Sequence, residues 1–253
     1  MLAPEQIFMR ARDNRARVGI GLGNDARKVN GTARSAMKKG YAEVIIFDSP
    51  DEMVKALAKG EVQAAVRGDL SANETMVAIK RQFGLEHILR AALMQPKGGR
   101  MFFLTPVGVD EGGDIESKME IIRLTARLFA SIGEEMQAGV LSGGRLGDMG
   151  RSEEVDRTIR EGLELVTVAK MEGYAVEHCQ ILIEDAVRTK NLIIAPNGIT
   201  GNIIFRTMHL VDGCVSMGAP ILNLERIFVD TSRAKRCYTD SIALASALVV
   251  KGK

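Results

Sequence analysis

Tryptophan is absent from this 253-residue chain, and three tyrosines and eight phenylalanines are its only aromatic residues. So few rings argue against the stacking platforms on which single-stranded nucleic acids bind. An excess of one charge is also missing. Lys and Arg number 34 against 32 Asp and Glu, a net charge of +2, so no polyanion-binding signature is present. The three cysteines, Cys179, Cys214 and Cys237, are widely spaced, with no C-x-x-C pair and no His at ligand spacing. That pattern excludes a disulfide framework and a structural zinc site, and no metal is expected. No apolar run approaches the ~20 residues that span a membrane. The first seventeen residues are charged and lack a signal-type apolar core, so a cytoplasmic protein is expected. Repeats, low-complexity tracts and flexible linkers are missing too.

What is present is an alternation of short apolar runs with helix-length amphipathic segments. Pro4 to Ala16 reads as a helix, Arg17 to Leu22 as a strand, and Ala26 to Lys39 as a helix closed by Gly40. Glu43 to Phe47 and Val62 to Val66 read as strands around a helix capped by Ser49 or Asp51. A further helix covers Asn73 to Phe83. Strands alternating with helices at this spacing predict βαβ crossovers and a mostly parallel sheet. Ile88 to Met94 and Met101 to Thr105, joined by Pro96-Lys97-Gly98-Gly99-Arg100, predict one antiparallel hairpin. A long helix spans Ile115 to Met136, with a break near Gly133. Gly139 to Leu141 is a short strand feeding a Gly-rich loop, Ser142 to Ser152. Ser152 then caps a helix with Val155, Ile159, Leu163 and Val166 on one face. Leu192 to Ala195, Ala219 to Leu224 and Ile227 to Val229 read as strands, Ile203 to Leu210 and Thr239 to Val250 as helices.

The stretch from Asn191 to Asp240 carries the most chemistry. A strand ends in Ala195-Pro196-Asn197-Gly198-Ile199-Thr200-Gly201-Asn202-Ile203. Gly218-Ala219-Pro220-Ile221-Leu222 follows, then Asp230-Thr231-Ser232-Arg233. These segments resemble the F-P-D-x-x-x-G-N-I, G-P-I-L and P-V-N-D-L-S-R-G-C motifs of the phosphate acetyl- and butyryltransferases. The chain looks most like the short archaeal branch called methanogenesis marker protein 4, or MtxX, which carries the label of a methyltransferase subunit. The resemblance implies two α/β/α lobes of the isocitrate dehydrogenase-like kind with a cleft between them, and a homodimer through the second lobe. The lobes are expected at residues 1–137 plus 229–253, and at 138–228.

Each candidate residue has a functional and a structural reading. In the resembling family the Ser-Arg pair, here Ser232 and Arg233, serves catalysis. An Arg fork suits charge building on phosphoryl and carbonyl oxygens, and the Ser hydroxyl donates one more bond. An acid further on deprotonates the thiol of coenzyme A there. This chain has two extra residues at that point, so Ser241 stands in the acid's place with Asp240 beside it as candidate base. Val66-Arg67-Gly68-Asp69 resembles the family's L-V-K-G-D turn and makes Arg67 a candidate anion ligand, or else a surface Arg at a turn. Ser142, Gly143, Gly144 and Arg145 open a Gly-rich loop before a helix, either an anion cradle or an ordinary connection. Asp185 resembles the acid of the family's Q-F-D-x-A segment; the plain reading is a helix cap. Asn197, Gly201 and Asn202 complete the expected substrate-binding set. Cys237, beside Lys235 and Arg236, is either a thiol of lowered pKa or a semi-buried one. A lone His on an apolar helix, such as His209, reads as a satisfied core residue.

Gly19-Ile20-Gly21-Leu22-Gly23 follows a strand, precedes a helix, and has Asp48 at the end of the next strand. That is a weak nucleoside signature; the other readings are glycines for tight packing and, at Gly21 to Arg27, a turn that resembles the P-E-G-E-D-x-R ending the first strand of the transferase family. Three functions follow. The leading one is a phosphotransacylase-like protein that takes phosphate and coenzyme A or a related acyl thiol as substrates, with no bound cofactor. The second is a methyltransferase using S-adenosylmethionine or a corrinoid. The third is a non-catalytic accessory protein of methanogenesis.

Overall fold

The computed structural model describes residues 3–250. In chain order the elements are α1 (Pro4–Asn14), β1 (Arg17–Gly21), α2 (Ala26–Lys38), β2 (Glu43–Phe47), α3 (Pro50–Ala58), β3 (Ala64–Val66) and α4 (Ala72–Phe83). Then come β4 (Ala92–Gln95), β5 (Phe102–Thr105), α5 (Ile115–Ser131), β6 (Ala138–Leu141), α6 (Glu153–Met171), β7 (Val176–Gln180), α7 (Ile183–Thr189), β8 (Leu192–Ile194) and α8 (Gly198–Arg206). A π-helical turn, Thr207–Val211, precedes β9 (Val215–Pro220), β10 (Ile227–Asp230) and α9 (Thr239–Leu248). Among the described residues, no helix is long and apolar enough to cross a membrane. The α/β class expected from the alternation is the class observed.

The chain divides into two compact units, one of residues 3–88 with 217–250, the other of residues 89–216. The boundary expected near residue 138 falls inside the second of these. The reason is strand pairing: the β4–β5 hairpin is antiparallel, and β5 runs parallel to β8, whose other neighbour is β6. The hairpin therefore belongs with the strands that follow it.

In the first unit the strand order is β2-β1-β3-β10-β9, with β9 alone antiparallel, pairing Ala219 and Pro220 with β10. Buried Val18, Ile20, Ala65, Val66, Phe228 and Val229 make the strands apolar on both faces, as a helix-covered parallel sheet requires. Helix α9 is buried all round except at Asp240, because it packs against α1, α2 and three strands. Asn14 fixes its end by donating from Nδ2 to the carbonyls of Ser246 (2.9 Å) and Val249 (2.7 Å).

In the second unit the order is β4-β5-β8-β6-β7. The chain moves outward from β6 to β7 and returns across β6 to β8, so right-handed crossovers put α6 and α7 on opposite faces. Strand β7, Val-Glu-His-Cys-Gln, lies at this sheet's edge and has no apolar alternation to announce it. Helix α8 starts at Gly198, five residues before the apolar run suggests, because Asn197 caps it by accepting from the Thr200 amide at 2.9 Å.

Candidate functional site

The carboxyl ends of β1, β3 and β10 meet in the first unit. The β1–α2 turn is pressed against the turn after β3. A Cβ on Gly21 would stand 2.3 Å from the Arg67 carbonyl oxygen, and one on Gly23 would stand 2.5 Å from that of Asp69. Gly68 has φ +64°, where a side chain is strained. These glycines therefore serve close packing. The Asp69 carboxylate accepts from the amides of Gly23 (2.6 Å) and Asp25 (2.7 Å). An internal carboxylate thus occupies two of this turn's amides, and Asp48 is exposed. The nucleoside reading of this turn loses those two donors.

Arg67 is engaged in the same way. It is 4% exposed. Its Nε donates to Asp230 Oδ1 at 2.5 Å and its Nη1 to the Leu70 carbonyl at 2.7 Å. The same Asp230 oxygen accepts from the Thr231 amide, and Thr231 Oγ1 donates to the Gly68 carbonyl, both at 2.8 Å. Arg67, expected to hold an anion, ties β3 to β10.

Beyond β10 lie Ser232 and Arg233. Ser232 is half-buried and its Oγ accepts from the Ala234 amide, which leaves its O–H to donate elsewhere. Arg233 is exposed, and its guanidinium has no partner in the described protein; its carbonyl accepts from Lys28 Nζ at 3.2 Å. Among the described residues Lys28 has no carboxylate partner, and its Nζ lies 4.9 Å from the centre of the Tyr238 ring. Tyr238 is wholly buried and its hydroxyl has no protein partner, so burial pushes its pKa up. Lys235 is different: its Nζ donates to Asp240 Oδ1 at 2.6 Å and to Ser241 Oγ at 3.2 Å. Burial outweighs the carboxylate and lowers the Lys235 pKa. Asp240 Oδ1 also accepts from the Ser241 amide at 2.8 Å, so Oδ2 is the oxygen left over.

Cys237 is exposed at the start of α9. Partial burial raises its pKa, but hydrogen bonds from Thr239 (Oγ1 at 3.0 Å) and Thr32 (Oγ1 at 3.5 Å) outweigh that and lower it overall. The lowering expected from Lys235 and Arg236 thus has another cause, two threonines, and the sequence could not pair Thr32 with a residue so distant.

The second unit holds the remaining candidates. The loop from Ser142 uses its own amides: Gly143 donates to Thr158 Oγ1, Arg145 to Asp148 Oδ2, Leu146 to Gln180 Oε1 and Gly150 to Asp156 Oδ1, each at 2.7 to 2.8 Å. Of the amides on which an anion cradle was expected, those of Ser142, Gly143 and Arg145 are occupied. Gly144 is buried, and a Cβ there would stand 2.8 Å from Val155 Cγ1. The Arg145 side chain is exposed. Asp185 is exposed in the first turn of α7, paired with Arg188 at 3.5 Å, and is not its cap. Asn197 caps α8. A Cβ on Gly201 would stand 1.9 Å from the Pro106 carbonyl oxygen, and Asn202 Nδ2 donates to the Val107 carbonyl at 2.8 Å. Gly201 and Asn202 thus lock α8 onto the 106–111 loop.

The sequence reading passed over His178. Its Nε2 lies 3.0 Å from Ser142 Oγ, and burial lowers its pKa. Thirty-six residues separate the pair, and no local motif links them. His209 is satisfied, with Nδ1 2.7 Å from the Cys214 carbonyl. Among the described residues, no cluster of three or more His, Cys, Asp or Glu is placed to hold a metal.

No family model matches the chain. It is 42% identical over 264 residues to a Methanosarcina mazei protein named "Putative methyltransferase mtx subunit X", covering 96% of this chain and 94% of that one. The chain belongs to the mtx subunit X family. A Methanosarcina barkeri protein of the same name is 42% identical, covering 95% and 96% of the two chains. Among solved structures, the mtx subunit X chain resembles the EutD phosphotransacetylase of Staphylococcus aureus. The TM-score is 0.70 at 14% identity, with 99% of this chain and 100% of that one covered. A branched-chain phosphotransacylase from Enterococcus faecalis gives 0.72 at 14% identity, covering 92% and 99%. A 4-hydroxythreonine-4-phosphate dehydrogenase from Burkholderia phymatum gives 0.57 at 12%, covering 98% and 95%. At such identities the likeness shows the fold alone. This mtx subunit X protein therefore combines relatives named for methyl transfer with the fold of the phosphotransacylases.

Proposed function

We propose that the protein binds phosphate or an acyl phosphate beyond β10 and moves an acyl group between that phosphate and a CoA-type thiol. One observation carries the reading. Among the described residues beyond β10 and at the start of α2, Arg67 and Lys235 are neutralised by carboxylates, whereas Lys28 and Arg233 are not. An uncompensated guanidinium and ammonium beside a free Ser O–H suit a phosphate dianion.

In this reading Arg233, Lys28 and Ser232 hold the phosphoryl oxygens. The thiol sulfur attacks the acyl carbonyl carbon, the carbonyl–phosphate C–O bond breaks, and phosphate departs with the electron pair. The thiol proton goes to Asp240 Oδ2. The test is thiol-dependent phosphate release from acetyl or butyryl phosphate. Arg233→Ala should lower turnover about a hundredfold, the size of one transition-state donor. Arg233→Lys should recover only part, because an ammonium lacks the two-pronged contact. Undiminished activity in Arg233→Ala would refute the assignment. No turnover with any short acyl phosphate, with phosphate still bound, would favour the accessory reading.

The relatives' names favour a second reading, a methyltransferase subunit. Tight binding of S-adenosylmethionine that Asp48→Ala abolishes would establish it. The engaged amides of Gly23 and Asp25 count against it at that turn. A homodimer belongs to the proposal as well, through the exposed Ile199 and Ile203 of α8; light scattering of Ile203→Glu tests it.

A further inference from the structure

The two units treat their crevices differently. In an open α/β sheet, ligands bind outside the carboxyl ends of strands where successive connections run in opposite directions. In the first unit that point lies between β1 and β3, and the Asp69 carboxylate fills it from within. In the second unit it lies between β6 and β8, because β6 connects outward to β7 and β8 connects away from it. There a cavity of about 390 Å³ stays open. Small-molecule sites run from roughly 300 to 1,000 Å³. An engineered cavity near 150 Å³ is enough for benzene.

The lining decides the ligand's chemistry. Leu141, Val155, Ile181, Ile183, Pro196 and Ile204 form most of it. No Lys, Arg or His lines it, and Glu154 stands among the lining residues. The amides of Gly143 and Thr200, nearest the strand ends, already donate to Thr158 and Asn197. An anion would find a carboxylate and no cation. One hydroxyl remains free, and a second, already donating, can still accept. Thr200 Oγ1, in the first turn of α8, has no partner in the described protein. Ser142, 3% exposed, is held by His178 Nε2 and the Gly144 carbonyl, each at 3.0 Å. Burial keeps His178 below its ordinary pKa, so the wall behind Ser142 carries no charge at neutral pH.

We propose that the crevice between β6 and β8 binds a small, uncharged, largely apolar molecule whose single hydrogen-bonding group meets Thr200 and Ser142. The site needs no phosphate and no acyl transfer, so it stands or falls apart from the function proposed above.

The test uses the full chain, with hexanamide and hexanoate as probes of equal chain length and inorganic phosphate as a third. Binding is read by calorimetry and by ligand-observed NMR. Hexanamide should bind at least tenfold more tightly than hexanoate. Phosphate should not compete with it. Ile204→Trp, which fills the cavity, should abolish hexanamide binding. Ile181→Trp, at a site 47% exposed, does the same from the rim with less risk to folding. Thr200→Val keeps the shape and removes the hydroxyl, and should weaken the amide about fivefold. Circular dichroism confirms that each variant is folded. The proposal is overturned if hexanamide fails to bind, if hexanoate binds as well, or if both Trp variants bind it normally. It is overturned equally if Ile181→Trp changes only the association state, which would mean that a second copy covers the crevice.

Discussion

Asp230→Ala is the sharpest test of how the first unit is held together. The substitution removes the carboxylate that neutralises Arg67, a residue only 4% exposed, and deletes the acceptor of the Thr231 amide. Removing one partner of a buried ion pair costs about 3–5 kcal/mol, because a buried charge is left unpaired. The remaining bond from Arg67 Nη1 to the Leu70 carbonyl cannot offset a full charge. With a urea slope of about 2 kcal/mol per molar, the midpoint should fall by roughly 2 M. Asp230→Asn should cost less, since its carbonyl oxygen still accepts. Arg67→Met combined with Asp230→Leu should recover much of the loss, because an apolar pair of similar volume leaves no orphaned charge. Urea unfolding followed by circular dichroism reads all four proteins. A loss under 1 kcal/mol in Asp230→Ala would refute the reasoning and return Arg67 to the pool of anion ligands.

Cys237 should react with iodoacetamide fastest of the three thiols at pH 7.5, since hydrogen bonds lower its pKa while burial raises those of Cys179 and Cys214, the latter to about 11. Thr239→Val should slow it severalfold, as mass spectrometry of the labelled protein would reveal. His178 has a folded pKa below its unfolded value near 6.5, so the unfolded chain binds the proton more readily. Stability from this residue is complete above that pH and lost as pH falls through the folded pKa. His178→Gln should therefore flatten the acid side of a melting-temperature profile, and an unchanged profile would contradict this. Gly201→Ala should destabilise by about 1–3 kcal/mol, because its Cβ cannot fit 1.9 Å from the Pro106 carbonyl oxygen. A neutral result in thermal melts would show that α8 shifts freely.

Local pattern made most of the fold legible. Pro50 behind Ser49, Gly40 after α2 and the Pro96–Arg100 turn mark their elements where the structure has them. Strand β7 was not legible, because an edge strand half in water keeps Glu177, His178 and Gln180. Helix α8 started early because a Pro-Asn-Gly run that reads as a turn is also a helix cap. At the candidate site, the Ser232-Arg233 motif was readable, but the pairing of Lys235 with Asp240 was not read from the sequence. Nor was the engagement of Arg67: its partner lies 163 residues away, and no single sequence shows which carboxylate will neutralise a buried cation. Ser142 was singled out, but for loop amides most of which turn out to be occupied; its partner His178 is a tertiary contact.

The central claim is that Lys28 and Arg233 form an anion site, and calorimetric titration of phosphate and acetyl phosphate tests it most directly. A charge-assisted hydrogen bond contributes about 1.5–3 kcal/mol. The wild-type protein should therefore bind both ligands, and Arg233→Ala and Lys28→Ala should each weaken them by at least tenfold, with Arg67→Lys much less affected. Absence of phosphate binding in the wild type, or equal affinity in all four proteins, would contradict the account.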